Sequence, residues 1–145
     1  MTGSTLNIGK TEDLNRQNSL LDCQGVQTTI AVGTTGNLDY ELTDDCYLTG
    51  IFFQTQNSNF SDTAALQVID TTGIYSGTPG TVLGQFATNW VVGASSTGGN
   101  TVFLEAVYPA KIYAGMTLRI IYTSTGTGSG NVNVGANYLL HKCLY

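Results

Sequence analysis

Acid–base or nucleophilic catalysis needs a histidine or a perturbed carboxylate beside a nucleophile, and this chain offers one histidine, His141. It stands between Leu140 and Lys142 on the polar side of an alternating segment, with no G-x-S-x-G elbow anywhere in the chain. A structural or solvent-facing histidine is the simpler reading. Cys23, Cys46 and Cys143 are odd in number, widely spaced and form no C-x-x-C pair, so they indicate buried free thiols rather than a disulfide framework or a zinc site. The run Gly126-Thr127-Gly128-Ser129-Gly130 has the glycines of a phosphate cradle. Asn131 and an alternating segment follow it, where a Walker loop needs Lys, then Ser or Thr, and a helix. Asp39, Glu41, Asp44 and Asp45 carry enough oxygens for a hard cation, but Asp39 and Glu41 at a spacing of two share one strand face and read as solvated. Asp62 and Asp70 read as turn and strand-end residues. The chemistry expected is therefore no enzyme, no cofactor and no metal.

Sugar binding asks for an exposed aromatic among neutral polar groups, and Phe60, Tyr75 and Trp90 lie in or beside polar loops. The competing reading of a lone Trp in a small β domain is a core residue.

The elements that would position these groups are strands. The chain has 145 residues, 41% of them hydrophobic and only 10% charged, with 18 Gly. That balance is the opposite of disorder, and a domain of about 150 residues buries about 68–70% of its unfolded surface. A net charge of −5 is concentrated in residues 1–45, where Lys10 and Arg16 face seven carboxylates, and the remainder is neutral. Nucleic acid would require clustered Lys and Arg, so no nucleic-acid partner is expected. No apolar run approaches the roughly 18 residues of a membrane helix, and the first residues lack a secretory h-region, so cytoplasmic synthesis and no membrane partner are expected.

Residues 1–19 hold few apolar positions, among them Leu6, Ile8 and Leu14, at spacings that fit neither helix nor strand. They read as an N-terminal arm, either a disordered terminus or a segment that orders against a neighbouring subunit. Residues 20–145 read as one β domain. Val26, Thr28, Ile30 and Val32 alternate with Gln27, Thr29 and Ala31, and Leu38, Tyr40 and Leu42 with Asn37, Asp39, Glu41 and Thr43. Further strands are expected over Cys46–Gln54, Ala64–Asp70, Val82–Trp90 and Thr101–Val107, the last ended by Tyr108-Pro109. Met116, Leu118, Ile120 and Tyr122 then share a core face, and Val132, Val134, Ala136, Tyr138 and Leu140 share another, across the glycine loop. This pair reads as a β-hairpin.

Eight or nine short strands separated by turns predict an all-β, single-domain antiparallel β-sandwich, with a jelly roll as the leading topology and a simpler sandwich as the alternative. Several apolar residues fall on the second face of their strands: Ile51 and Phe53, Ile121, and Leu139. A solvated sandwich would not expose them, so they are expected to be buried by loops or, with Leu6, Ile8 and Leu14 of the arm, by another subunit.

The string Tyr108-Pro109-Ala110-Lys111-Ile112-Tyr113-Ala114-Gly115, then Leu118-Arg119, Tyr122, Ser124 and Gly126, closing with Asn137-Tyr138-x-Leu140-His141-Lys142, resembles small all-β structural proteins of tailed bacteriophages. Gly36-Asn37-Leu38-Asp39-Tyr40 and Leu48-Thr49-Gly50 share in the resemblance, which spans most of residues 20–145. It implies a virion protein of the capsid decoration (cement) type on the capsid surface. Its partners would be the major capsid protein and further copies of itself, in a homo-oligomer such as a trimer. The alternative it leaves is a receptor-binding or fibre-tip module that holds a host glycan through Trp90, Tyr75 and the loop 54–62.

Overall fold

The computed structural model describes residues 21–56, 61–91 and 99–142, with side chains described for 25–56, 61–85 and 110–142. Eight strands follow one another: β1 (Leu21–Ala31), β2 (Thr35–Glu41), β3 (Cys46–Gln56), β4 (Thr63–Asp70), β5 (Thr81–Val91), β6 (Gly99–Ile112), β7 (Met116–Thr123) and β8 (Asn131–Lys142). They form two antiparallel four-stranded sheets, in the orders β1-β8-β3-β6 and β2-β7-β4-β5. Only β4 and β5 are both consecutive and paired; every other described connection crosses from one sheet to the other. The architecture is the jelly roll expected from the strand pattern.

The hairpin expected between β7 and β8 does not exist, because the two strands belong to different sheets. Alternation fixes which face of each strand is apolar but is silent about whether two apolar faces lie side by side or oppose each other. Here they oppose. Leu118, Ile120 and Tyr122 of β7 look across the interior at the sheet that holds Val132, Val134 and Tyr138 of β8, and all six are buried. Residues 124–130 make the crossing, long enough for the roughly 10 Å between packed sheets. Both ends of this arch are tied to the β1–β2 turn: Ser124 N–H donates to Thr34 O (2.9 Å) and Val32 N–H donates to Gly130 O (3.1 Å).

Two irregularities re-aim side chains that regular alternation misassigns. Cys46 and Leu48 point inward, then the register of β3 slips between Leu48 and Gly50 against both neighbours, and from there Ile51, Phe53 and Thr55 point inward instead. Ile51 and Phe53, expected on an outer contact face, are therefore core residues at 2% and 0% exposure, while Phe52 is the outward one. A bulge adds one residue and inverts the parity of everything after it. The second correction concerns Pro109, which does not end its strand. β6 runs on to Ile112, and its pairing to β3 jumps from Glu105 to Ala110, so Pro109 falls in an unpaired stretch of an edge strand, where a missing N–H costs no ladder bond.

Aromatic rings join the two sheets through the core. Phe53 of β3 stacks on Tyr122 of β7 at 5.9 Å, and Tyr138 of β8 on Tyr40 of β2 at 6.0 Å. Gly36 shares the inward face of β2 with Leu38, and a Cβ there would lie 2.9 Å from Ile30 Cγ1, so a larger residue would have to displace Ile30. The two buried tyrosines differ in their hydroxyls. Tyr122 donates to Asp62 Oδ2 at 2.6 Å, whereas the Tyr138 hydroxyl is buried without a hydrogen-bond partner. Burial pushes the pKa of both phenols up, the Asp62 bond adding to the shift at Tyr122. An orphaned buried hydroxyl costs about 1–3 kcal/mol, so Tyr138→Phe is expected to stabilise the fold by about 1 kcal/mol. Urea unfolding with an unchanged m-value would show it as a higher midpoint. A lower midpoint would contradict the account of that hydroxyl.

Candidate functional site

The register places three connections at one end of the sandwich. Asp70 pairs with Met116, and Cys46 pairs with both Ile112 and Lys142, so the β2–β3, β4–β5 and β6–β7 connections and the last residues of β8 lie together. Leu21 pairs with His141, so the chain before β1 is attached at this end too. Backbone bonds link the connections: Gly115 N–H donates to Leu42 O (3.0 Å) and Thr71 N–H to Gly115 O (3.1 Å). Gly115 takes a φ of 86°, which few residues other than glycine adopt, and so turns β6 into β7. Ala114 N–H donates to Asp45 Oδ1 at 2.9 Å.

The longest of these connections, residues 71–80, is wound around one carboxylate. Asp70, with no exposed surface, accepts from Gly73 N–H at 3.0 Å, Tyr75 N–H at 3.1 Å, Ser76 N–H at 2.7 Å and Ser76 Oγ at 2.6 Å. Glycine, serine and threonine let the chain bend back on the carboxylate, and Asp at the strand end supplies the acceptors. Enclosure pushes the Asp70 pKa up, but the bonds from Ser76, Tyr75 and Gly73 outweigh it and hold the carboxyl below its ordinary 3.8. The sign follows directly. A carboxyl whose folded value lies below its unfolded value stabilises fully above the unfolded value and loses that contribution as pH falls through the folded one. Hydrogen-exchange protection of the Gly73, Tyr75 and Ser76 amides is therefore expected to collapse as pH drops below about 3.8. Asp70→Asn should show no such step, and protection that persists unchanged into strong acid in the wild type would contradict the assignment.

This end exposes apolar side chains among polar and charged ones such as Thr43, Asp44, Lys111 and Lys142, and several of them are held in place. Ile74, with 75% of its surface in water, projects from the Asp70 loop beside Tyr75. Tyr75 donates its hydroxyl to Ala114 O at 2.6 Å and lies 5.9 Å from the Tyr113 ring, over which Lys111 Nζ sits at 5.3 Å. Burial, then the charges of Asp45 and Asp70, push the Tyr75 phenol up, so it keeps the proton it donates. Val82 and Leu83 open β5 next to the loop, and Tyr47 pairs with His141 and Lys111 one residue inside β3. Six of the seven exposed large hydrophobic side chains among the described residues are thus at or beside this end, and Phe52 is the seventh. Exposed apolar side chains gathered toward one end of the sandwich make that end the candidate interaction site.

The residues expected to make contacts are dispersed. Leu6, Ile8 and Leu14 lie outside the described residues. Ile51 and Phe53 are interior. Ile121 and Leu139 do point outward, half-buried, but from different sheets and so from opposite faces of the sandwich. Of the aromatics considered for sugar binding, two have described backbone positions, and these are far apart. Trp90 pairs with Ala64 at the start of β4 while Tyr75 follows the end of that strand, about 20 Å away at 3.4 Å per residue, and Phe60 lies outside the described residues.

His141 sits on the outer side of β8 beside Tyr47. Among the described residues no three His, Cys, Asp or Glu side chains gather as a metal ion would require, and no helix is long and apolar enough to cross a membrane. Asp39 forms a two-pronged ion pair with Arg119 at 2.8 Å for both bonds on the outer face of β2 and β7. Asp62 and Asp70 close strand ends, as their sequence positions suggest.

The apolar end is only partly foreseeable from the sequence. Ile74 inside a Gly-, Ser- and Thr-rich turn is the available signal, since turn chemistry has no use for an isoleucine there.

No family model and no curated protein matches the sequence. Among solved structures, the chain is similar to a protein of infectious bursal disease virus, Gx strain, with a TM-score of 0.51 and 16% identity over 86% of this chain and 34% of that one. The likeness is one of fold. It spans about a third of that viral protein's length. It is also similar to a chain of the cyanophage Pam1 capsid asymmetric unit, with a TM-score of 0.48 and 14% identity over 86% and 87% of the two chains. A carbohydrate-binding module solved with β-1,4-galactotriose follows at a TM-score of 0.45 and 10% identity over 85% and 88%.

Proposed function

We propose that this protein is a virion structural component of the decoration type, a non-catalytic jelly roll that binds the outside of an assembled shell of major capsid protein and stabilises it. The observation that carries the reading is the apolar, hydrogen-bonded end built from Ile74, Tyr75, Val82, Leu83 and Tyr113. The jelly-roll fold shared with the bursal disease virus structure and the resemblance to tailed-phage structural proteins support the same assignment. Copies of the protein seated between capsomers would act by mass action. Whatever binds the assembled state and not the dissociated one raises the stability of the assembly by RT ln(1 + [L]/Kd). Leu21, where β1 begins, lies at the same end, which supports a role for residues 1–19 in contacting a neighbouring capsomer or a second copy in a small cyclic homo-oligomer. Deleting the reading frame from the genome that encodes it should yield particles that rupture at lower temperature and under milder osmotic shock, with resistance restored by adding back purified protein. Deleted particles as resistant as complete ones would overturn the cementing role.

A further inference from the structure

The outer face of the β1-β8-β3 layer carries a second site. Pairing sets its side chains in rows across the three strands: Thr29, Asn133 and Gln56; then Gln27, Gly135 and Gln54; then Gly25, Asn137 and Phe52. Gly135 is the floor of a groove of about 530 Å³, and Gln27 and Gln54 stand on either side of it, about 10 Å apart across two strand spacings. One wall is pre-ordered: Thr29 Oγ1 donates to Asn133 Oδ1 at 3.2 Å, and Asn133 Nδ2 donates to Gln56 Oε1 at 3.2 Å. Gly25 leaves the space that the Asn137 amide occupies, since a Cβ there would lie 2.8 Å from Asn137 Oδ1.

Two properties choose the occupant. These three rows contain no charged residue, in a chain of net charge −5. Every primary amide offers two donors and an acceptor, and Thr29 offers a hydroxyl, which matches a ligand whose groups are themselves donor and acceptor together. Phe52, 39% exposed and paired with Asn137, lies in the row next to the groove and presents apolar surface of the kind the C–H face of a sugar ring packs on. A charged polymer would find no counter-charge here, and an apolar peptide would bury amides without partners. We propose that this groove binds a neutral oligosaccharide, its hydroxyls held by Gln27, Gln54 and the Asn133 wall and a ring seated on Phe52. The site is separate from the apolar end and does not depend on its role.

Gly135 supplies a clean probe. A Cβ added there meets Val26 O at 3.7 Å and Gln27 Cβ at 3.9 Å, which is ordinary contact, so Gly135→Val fits the strand while its methyl groups fill the groove. The full chain is applied to a glycan array holding neutral, sialylated and sulfated oligosaccharides, and hits are titrated by calorimetry. Binding should be confined to neutral glycans. It should weaken about tenfold or more in Gly135→Val and in the Gln27→Ala/Gln54→Ala double variant, both with wild-type melting temperatures. Ile74→Asp, on the apolar end, should leave it unchanged. The proposal is overturned if no neutral glycan binds, if acidic glycans are preferred, if the groove variants bind as the wild type does, or if Gly135→Val instead abolishes self-association through this face.

Discussion

Phe53→Ala is expected to cost about 3–5 kcal/mol of folding free energy, whereas Phe52→Ala one residue away stays within about 1 kcal/mol. Phe53 has no exposed surface and its ring stacks on Tyr122 from the opposite sheet, so truncation removes a contact between layers and leaves a cavity that two sheets cannot close by a small shift. For a domain of this length the loss corresponds to a fall of about 10 °C in melting temperature. The contrast follows from the bulge between Leu48 and Gly50. With regular alternation, Leu48 would share its face with Phe52, and the severe and mild outcomes would exchange places. Thermal and urea unfolding of the two variants side by side distinguishes these cases.

Asp62→Ala should be the next most damaging change, at about 3 kcal/mol. Its carboxylate is buried and accepts from the Tyr122 hydroxyl at 2.6 Å, from Thr125 N–H at 2.7 Å and from Thr125 Oγ1 at 3.0 Å. These bonds fasten the first turn of the β7–β8 arch to the start of β4. Removing the acceptor strands a phenol in the core and releases the arch, whereas Tyr122→Phe removes only one donor and should cost about 2 kcal/mol. The two changes share one bond. In a double-mutant cycle, Tyr122→Phe should therefore cost much less in the Asp62→Ala background than alone, and simple additivity of the unfolding free energies would contradict the network.

The strands themselves are legible because one wet face and one buried face impose a period of two. Alternation alone identifies Leu118, Ile120 and Tyr122, and Val132, Val134 and Tyr138, as core, and all six are buried. Their partners are not legible in the same way. A period of two describes a strand in isolation, and the pairing of β7 with β2 and β4, and of β8 with β1 and β3, is decided by how the arches cross between sheets. Ile51 and Phe53 are misplaced by the pattern for a related reason: a bulge is a single extra residue, and Leu48-Thr49-Gly50 carries no apolar signal that announces it. Pro109 reads as a terminator because the pattern does not reveal that β6 is an edge.

The candidate sites are less visible still. Asp70 looks like one more strand-end carboxylate, and its four bonds to the following loop depend on how residues 71–76 turn back. The amides of Gln27, Gln54 and Asn133 read singly as solvated strand residues. Only the register of three strands, remote from one another in the chain, brings them into one groove.

The proposed role requires the apolar end to seat this protein on an assembled shell. Its most direct test is co-sedimentation of the purified protein with assembled capsids from particles that lack it. Saturable binding to assembled shells and none to unassembled capsid subunits is expected, with binding lost in an Ile74→Asp/Tyr113→Asp variant that melts like the wild type. Protein that stays in the supernatant, or a variant that pellets as the wild type does, would contradict it.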